Sequence, residues 1–368
     1  MQTLGISLYP DKSTLQEDIV YLQKAKNLGY QRVFMSFLQI DIKNPMRSIQ
    51  RMKESARIAH EMGFIVALDI HPMVFTYLKS GEEDLSYFHE MGIDILRLDK
   101  GYDGRMEAMM THNPYGIRIE INMSNQTHEL ERILDQNPDR GCLCGSHNFY
   151  PQRYTGLSLS AFLESCDHFH RHHCPGAAFI TSQHASISPW PVSEGLCTLE
   201  CHRNLPIEVQ AQHMKMLQAV DTILIGNAYA SENELQSVKN VMEKKIDQLS
   251  IHLQEGCSAL EKEIVFANVQ EYRGDASEYV IRSGKGRMKY QKKSLPAYAI
   301  PQDIHRGDIL ILNEDYGQYK GELQIALCDR SRDHRINVVG KIVEEELLLM
   351  EALRPFQKFV FVEKRLEE

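Results

Sequence analysis

Short apolar runs alternate with amphipathic, helix-like stretches over the first two thirds of this 368-residue sequence. Several helix-like stretches end in a glycine that directly precedes the next apolar run, as at Gly29, Gly63 and Gly92. Glycine readily adopts the left-handed backbone conformation that ends a helix, so each of these positions marks a step from helix to strand. The strand-like runs cover residues 3–9, 31–37, 64–70, 93–99, 116–122, 140–146, 177–182 and 221–226.

Eight strands separated by helices predict an α/β protein built on a (β/α)₈ barrel. The usual size of that barrel, about 250 residues, matches the length of the alternating region. An open, doubly wound sheet is the alternative, because both folds consist of repeated βα units. The strand count favours the barrel.

The pattern changes near residue 253, where helical periodicity gives way to short strand-like runs. Turn signals at Gly307 and Gly317 separate several of them. We therefore predict a barrel domain over residues 1–250 and a smaller, mostly β domain over residues 251–368. The runs in the second domain cover residues 264–269, 309–312, 322–327, 337–342 and 358–362.

Composition excludes several classes of function. The net charge of −9 gives no general attraction to nucleic acid or to an anionic membrane. No apolar run approaches the length of about 20 residues that spans a bilayer. The first ten residues lack the basic start and apolar core of a signal peptide, and the eight cysteines form no CxxC pair. We therefore expect a cytoplasmic protein with reduced thiols.

Polar residues occupy one face of several predicted strands, opposite a continuous aliphatic face. Alternate residues of a strand point to opposite faces, so if the aliphatic faces pack on the helices, the polar faces point into the barrel. Many of the polar residues lie toward the carboxyl ends of the strands, where barrel enzymes build their active sites. They are Ser7 in the first strand, Asp69 and His71 at the third, Arg97 and Asp99 in the fourth, and Arg118, Glu120 and Asn122 in the fifth.

Three carboxylates and two arginines are thus expected at one mouth of the barrel. One interpretation is a lattice of ion pairs that fills the interior, since buried ion pairs are not in themselves a sign of function. The other leaves at least two carboxylates for acid–base or nucleophilic work, as in a glycosidase. In that case we expect Glu120 to be the general acid and Asp69 or Asp99 to be the nucleophile or base. Retention and inversion of the anomeric configuration both stay open.

Long connections on the same side of the barrel carry groups that suit a sugar. The loop after the sixth strand combines aromatic rings for stacking with donors for hydroxyl or phosphate groups. A second long segment, residues 187–204, contains the only tryptophan. In the second domain a basic stretch, residues 282–293, predicts either a solvated loop or an anion-attracting flap. The expected binding residues are His147, Asn148, Tyr150, Arg153, Tyr154, Gln183, Tyr316, Tyr319 and Lys320.

Two other functions remain open at this stage. Asp69, His71, Glu120 and His147 could surround a divalent ion, as in metal-dependent sugar-phosphate isomerases or aldolases. The chain could also be a non-catalytic protein that binds a sugar phosphate or a partner. A histidine-rich segment, residues 168–174, belongs to an amphipathic outer helix with loose ligand spacing. We expect neither a metal nor a cofactor.

The chain resembles the 6-phospho-N-acetylmuramidase family of bacterial glycoside hydrolases along essentially its whole length. The resemblance implies a barrel followed by a cyclophilin-like β domain that caps or flanks its mouth. It also implies cytoplasmic hydrolysis of the β-1,4 bond in a 6-phosphorylated MurNAc–GlcNAc disaccharide during cell-wall recycling, with a homodimer left open. The segments that carry it are 68–72 (LDIHP), 96–99 (LRLD), 147–158 (HNFYPQRYTGLS), 194–203 (EGLCTLECHR), 316–325 (YGQYKGELQI) and 335–342 (RINVVGKI).

Overall fold

The computed structural model describes residues 2–38, 45–78, 80–125, 127–299 and 302–364, which form two compact units divided after Met242. In the first unit eight parallel strands close into a barrel in the order in which they follow along the chain. This confirms the predicted (β/α)₈ barrel. The strands are β1 (Thr3–Leu8), β2 (Arg32–Ser36), β3 (Ile65–Ile70), β4 (Ile95–Leu98), β5 (Arg118–Asn122), β6 (Leu143–Ser146), β7 (Gly176–Ile180) and β8 (Thr222–Ile225).

The helices between these strands begin and end at the signals present in the sequence. In the first helix the Thr14 hydroxyl accepts the Glu17 amide at 3.3 Å, and the Glu17 carboxylate accepts the Thr14 amide at 2.8 Å. Gly29, Gly63 and Gly92 all have positive φ, as expected for helix ends. The helices are α1 (Leu15–Asn27), α2 (Pro45–Glu61), α3 (Met73–Leu78), α4 (Ser86–Glu90), α5 (Arg105–Thr111), α6 (Glu129–Leu134), α7 (Leu159–Arg171), α8 (Ile207–Leu217) and α9 (Glu232–Glu243).

The second unit is built on a mixed seven-stranded sheet with the order β10-β15-β9-β14-β12-β13-β11. Only the β15–β9 pair is parallel. None of the helices in the described ranges of the chain is long and apolar enough to cross a membrane. The elements are β9 (Asp247–Leu253), α10 (Ala259–Phe266), β10 (Gln270–Glu271), β11 (Val280–Ser283), α11 (Gly286–Tyr290), β12 (Asp308–Leu312), β13 (Leu323–Ala326), β14 (Ile336–Ile342), α12 (Leu347–Ala352) and β15 (Lys358–Glu363).

One predicted strand of this unit is wrong. Residues 264–269 were expected to be a strand, but the first half of this run is the end of α10 and none of the run is a strand. A capping box starts that helix, because Ser258 accepts the Glu261 amide at 3.2 Å and Glu261 accepts the Ser258 amide at 2.8 Å. This Ser-x-x-Glu signal stands in the sequence just before the apolar run and predicts a helix. Strands β9, β10 and β11 lie outside the runs expected from the sequence.

Charged side chains meet inside the barrel, as strand parity predicts. Arg32 Nη2 donates to Glu120 Oε2 at 2.5 Å, and their side chains are 7% and 0% exposed. Strands β2 and β5 are not neighbours, so this ion pair crosses the interior. Arg32 opens β2 and lines a cavity at the amino ends of the strands, whereas Glu120 lies opposite Arg97 in the register of β4 and β5. Glu120 was expected at the mouth, but it is fully buried inside the barrel and does not line the cavity at the carboxyl ends of the strands.

Arg118 is also placed at the amino ends of the strands. It is the first residue of β5 and lines the same cavity as Thr3 and Asp221. Parity assigns a residue to the inward face but says nothing about its height along the barrel axis. Arg118 is therefore removed from the mouth.

We expect Glu120→Gln to lower the free energy of unfolding by about 3 kcal/mol, because it leaves the buried Arg32 charge without a full partner. Urea denaturation measures this change. Glu61→Gln is a matched control, since Glu61 pairs with Arg57 on the exposed surface of α2, where a pair contributes at most about 1 kcal/mol.

The double variant Arg32→Met/Glu120→Met should recover much of the lost stability, because apolar side chains can replace a buried ion pair. A Glu120→Gln protein that unfolds at the wild-type urea concentration but has lost turnover would contradict this structural role.

Candidate active site

A cavity of about 350 Å³ opens at the carboxyl ends of the barrel strands. Phe34 of β2 and Phe179 of β7 form part of its apolar wall and pack edge to face with centroids 5.1 Å apart. Phe149 and Trp190 extend this wall. The polar wall consists of Asp69, Arg97, Asp99 and Asn148.

Arg97 is the centre of the polar wall. Its Nη1 donates to Asp69 Oδ1 at 2.7 Å and lies 3.8 Å from Asp99 Oδ1. Its Nε donates to Ser146 Oγ at 2.8 Å, and its Nη2 donates to Asn148 Oδ1 at 2.5 Å. The guanidinium therefore joins groups of β3, β4 and β6, and it fixes both carboxylates at one place.

The two carboxylates differ in their surroundings. The Asp69 side chain is 4% exposed, whereas that of Asp99 is 39% exposed. Burial raises the pKa of Asp69 to about 6; the Arg97 charge opposes this rise, and the charges of Asp99 and Glu120 add to it. A carboxyl group with this pKa holds a proton for part of the time near neutral pH, as a general acid must.

His147 and Tyr150 lie beside these acids in the loop after β6. His147 Nδ1 is 3.2 Å from Ser124 Oγ, and its Nε2 is 3.3 Å from Cys166 Sγ. Burial, assisted by the Arg97 charge, lowers the pKa of His147 to about 3, so the ring is neutral. Tyr150 lines the cavity, and burial raises the pKa of its hydroxyl. His147 thus positions the loop, while Tyr150 offers a ring to a ligand.

Four other expected residues use their polar atoms within the protein. Ser7 donates to a backbone carbonyl of β8 at 2.7 Å, and Asn122 accepts a backbone amide at 2.8 Å. Gln183 donates to two backbone carbonyls at 3.2 and 3.1 Å. His71 accepts the Met73 amide at 3.2 Å, at the start of α3. None of the four lines the mouth cavity within the described part of the barrel.

Arg153 and Tyr154 lie farther along the same loop and do not line the cavity. The Arg153 side chain pairs with Glu194 at 3.5 Å, and Tyr154 is 89% exposed with a positive φ. Glu200 anchors this part of the loop, because it accepts the Tyr154 amide at 2.8 Å. Arg203 Nη2 in turn lies 2.6 Å from Glu200 Oε2. Hydrogen bonds from Arg203 help to lower the pKa of Glu200 to about 2.

Sequence reasoning did not assign a role to Ser146, Glu200 or Arg203. Ser146 contacts Arg97, which lies in another strand far away in the chain, so no local spacing marks it. Glu200 and Arg203 pair at a spacing of three residues, but the loop amide of Tyr154 that Glu200 binds is far away in the chain. Glu200 and Arg203 do lie within the 194–203 segment that carries the family resemblance, and this was the one signal that pointed to them.

The four residues considered as metal ligands do not converge. Asp69 binds Arg97, Glu120 binds Arg32, and both nitrogens of His147 have partners. Among the described residues, the groups that could hold a metal ion are Glu131 with two histidines, and Cys201 with two others. Neither group includes a residue of the mouth cavity.

The second unit has a groove of its own, with a volume of about 830 Å³. Tyr316 and Tyr319, two of the predicted binding residues, line it with ring centroids 6.2 Å apart. Lys320 does not line it, because its Nζ donates to the backbone carbonyl of Lys293 at 3.0 Å. Four arginines also line the groove: Arg282, Arg330, Arg332 and Arg335.

These arginines differ in their pairing. Arg282 Nε contacts Glu322 at 2.9 Å, and Arg335 contacts Asp333 at 2.7 Å. Over the residues that the structure covers, neither Arg330 nor Arg332 has an acidic group within 4.0 Å, and Nη2 of Arg330 is buried without a hydrogen-bond partner. The groove therefore has cationic capacity left for an anion.

The basic stretch 282–293 is mostly neutralised by acids from elsewhere in this unit. Arg282 and Arg287 both bind the buried Glu322. Lys285 pairs with Glu271 at 2.7 Å. The Glu263 carboxylate of α10 pairs with two further lysines of the stretch, Lys289 and Lys293. The stretch thus folds against carboxylates instead of forming a free basic flap.

Comparison with known proteins agrees with this arrangement. Residues 4–240 match the family model described as 6-phospho-N-acetylmuramidase, N-terminal, and residues 247–362 match its C-terminal counterpart. The chain is 41% identical to an uncharacterized B. cereus protein of known crystal structure, with a TM-score of 0.85, and the match covers 98% of this chain and 99% of that one.

A conserved Enterococcus faecalis protein with an unknown function shares the fold, with 24% identity, a TM-score of 0.72, and coverage of 98% of this chain and 96% of that one. The comparison with curated proteins gave no match. Because the two family models together span nearly the whole sequence, the chain belongs to the 6-phospho-N-acetylmuramidase family, which is a family of glycosidases.

Proposed function

We propose that the barrel mouth hydrolyses the β-1,4 bond of a 6-phosphorylated MurNAc–GlcNAc disaccharide. Membership of the family supports this substrate, and one structural observation supports the chemistry. Asp69 and Asp99 reach the same nitrogen of Arg97, yet one is buried and the other is open to solvent. Glycosidases need such a pair, with one carboxyl group protonated and the other ionised.

In the proposed first step, Asp69 donates its proton to the glycosidic oxygen as the bond to the anomeric carbon breaks. The Asp69 carboxylate that this leaves is already bound to Arg97 at 2.7 Å, so its negative charge forms next to a fixed positive charge. Asp99 attacks the anomeric carbon from the opposite face. A water molecule, deprotonated by Asp69, then releases the sugar from Asp99.

The shared contact with one guanidinium nitrogen favours a short distance between the two carboxyl groups. Retaining glycosidases have a separation of about 5–5.5 Å, and inverting enzymes have about 6.5–9.5 Å. We therefore propose retention of the anomeric configuration, with Asp99 as the nucleophile. Glu120 has no place in this scheme, because it is sealed inside the barrel against Arg32.

The aromatic wall of the cavity would bind the sugar. Phe149, Tyr150 and Trp190 offer ring faces or edges beside the carboxylates. Asn148 holds Arg97 with its carbonyl oxygen, which leaves its amide group as a donor for a sugar hydroxyl. We propose these residues, with Arg97, as the substrate-binding set of the barrel.

We further propose a cytoplasmic role in cell-wall recycling. All eight cysteines are free thiols, which suits a reducing compartment. We also propose that the barrel unit, up to Met242, is the catalytic domain and that the second unit, from Glu243, is a cyclophilin-like domain; β9 belongs to the sheet of the second unit, so the boundary lies before the predicted position 250. The net negative charge supports neither nucleic acid nor an anionic membrane as a partner.

For the groove of the second unit we propose the binding of a phosphorylated sugar. Arg330 and Arg332 have no acidic partners among the described residues, and guanidinium groups bind phosphate oxygens with paired donors. Tyr316 and Tyr319 add ring surface beside these charges.

Substrates that differ in their leaving group can distinguish the roles of Asp69 and Asp99. Asp69→Asn should reduce kcat/KM on the disaccharide by about 10²–10⁴-fold, because proton donation in the first step is lost. On an aryl 6-phospho-N-acetylmuramide, whose phenolate leaves without protonation, the loss of kcat/KM should be much smaller. Asp99→Asn should lose activity on both substrates. Equal losses of the two variants on the aryl substrate would contradict the assignment of Asp69 as the acid.

The pH profile provides a second test. Asp69 must be protonated to act, so kcat/KM on the disaccharide should fall as the pH rises through about 6. The phosphate of the substrate also titrates near pH 6 and needs a control. The reaction of Asp69→Asn with the aryl substrate retains the substrate phosphate but lacks the Asp69 carboxyl group. The kcat/KM of this reaction should therefore no longer fall as the pH rises through about 6. If kcat/KM of the variant still falls by the same factor, the fall is due to titration of the phosphate and not of Asp69.

The groove can be tested by binding. The variant Arg330→Gln/Arg332→Gln should weaken the binding of N-acetylmuramic acid 6-phosphate by about 10–100-fold, because hydrogen bonds to charged groups contribute about 1.5–3 kcal/mol. Isothermal titration calorimetry measures this loss. Lys292→Gln, an exposed charge outside the groove, is the control and should keep wild-type affinity. Equal affinity of both variants would show that the groove does not bind this ligand.

A further inference from the structure

Two imidazoles and one carboxylate meet on the outer wall of the barrel, outside the mouth cavity. Glu131 belongs to α6, His168 to α7, and His172 caps the end of α7. We name these three residues the wall cluster. One ligand atom from each lies within 4.8 Å of the other two, and His168 Nε2 is 3.2 Å from Glu131 Oε1.

The spacing of the histidines is the one that metal sites on helices use. His168 and His172 are four residues apart, which places both on one side of the helix. Their ring centroids are 5.4 Å apart, at an interplanar angle of 75°. Two histidines at this spacing with one glutamate form a ligand set known from zinc sites.

Glu131 has unused capacity for a ligand. Its Oε2 is buried and has no hydrogen-bond partner in the described structure. A buried carboxylate oxygen without a partner is unfavourable, and a cation at this position would satisfy it. A fourth group is close as well, because His128 Nδ1 lies 3.8 Å from Glu131 Oε1.

The wall cluster also has space beside it. A cavity of about 290 Å³ is lined by Glu131 and His168 and extends to Asn122 at the end of β5. A water molecule or His128 could complete a tetrahedral site there without displacing the helices. Zinc–nitrogen and zinc–oxygen bonds of about 2.0–2.2 Å place tetrahedral ligands roughly 3.4 Å apart, so side-chain rotation alone can close the present separations.

We propose that the wall cluster binds a divalent transition metal ion such as Zn²⁺. Imidazole ligands favour zinc, nickel or copper over magnesium and calcium, which prefer an all-oxygen set. The ion joins α6 to α7 and so links two successive βα units of the barrel. This inference does not depend on the proposed hydrolysis, and its test does not measure activity.

The test uses the full chain at pH 7.5. Zn²⁺ is titrated in competition with a chromophoric chelator, and Co²⁺ is titrated as a spectroscopic probe. We expect one equivalent of Zn²⁺ to bind at the wall cluster and Co²⁺ to give the intense visible bands of tetrahedral coordination. The double variant His168→Ala/His172→Ala should lose that one equivalent.

His170→Ala is the matched control, since His170 lies on the same helix but faces Asp221 at 4.0 Å. It should keep the wild-type stoichiometry and affinity. Circular dichroism verifies that each variant is folded. A second group, Cys201 with His202 and His213, could also bind metal. The test therefore compares the number of Zn²⁺ equivalents bound by each variant with the number bound by the wild-type protein. An unchanged stoichiometry in the double variant, or an equal loss in His170→Ala, would overturn the proposal.

Discussion

The contact between Arg97 and the two aspartates sets the properties of the barrel mouth. A guanidinium this deeply buried must be paired, because an unpaired charge in the interior would cost several kcal/mol. Asp69 provides the pairing charge at 2.7 Å, and Ser146 and Asn148 accept hydrogen bonds from two further donors. The strands β3, β4 and β6 and the loop after β6 are thereby held around one cation, which keeps the geometry of the acids independent of a bound ligand.

The same contact produces the unequal pair of carboxylates. Burial alone would make Asp69 difficult to ionise, and Arg97 alone would keep it ionised. The balance gives a pKa of about 6, at which the group can both donate and accept a proton. Asp99 touches the same nitrogen only at 3.8 Å and faces solvent. One arginine therefore supports two different roles in acid–base chemistry.

The sequence was sufficient to predict the barrel and the side chains that point into it. It was not sufficient to predict how far along the barrel axis each of these side chains lies. Parity placed Asp69, Arg97 and Glu120 inside, and the contacts of Arg97 with Ser146 and of Glu120 with Arg32, across non-neighbouring strands, agree with this. Parity has a period of two residues and cannot tell the amino end of a strand from its carboxyl end. The first residue of each strand decides that, and β5 begins two residues later than the sequence predicts. Arg118 was therefore expected at the wrong level.

Other features depend on contacts that no local pattern records. The histidines of α7 show the i, i+4 spacing in the sequence, but the carboxylate beside them comes from α6, nearly 40 residues earlier. Only the parallel packing of successive βα units brings Glu131 to His168. The same reasoning applies to Glu322, a buried carboxylate that binds the partly exposed side chains of Arg282 and Arg287 and so neutralises part of the basic stretch. Charge patterns in a sequence give the number of charges, and the fold determines which of them remain available for a ligand.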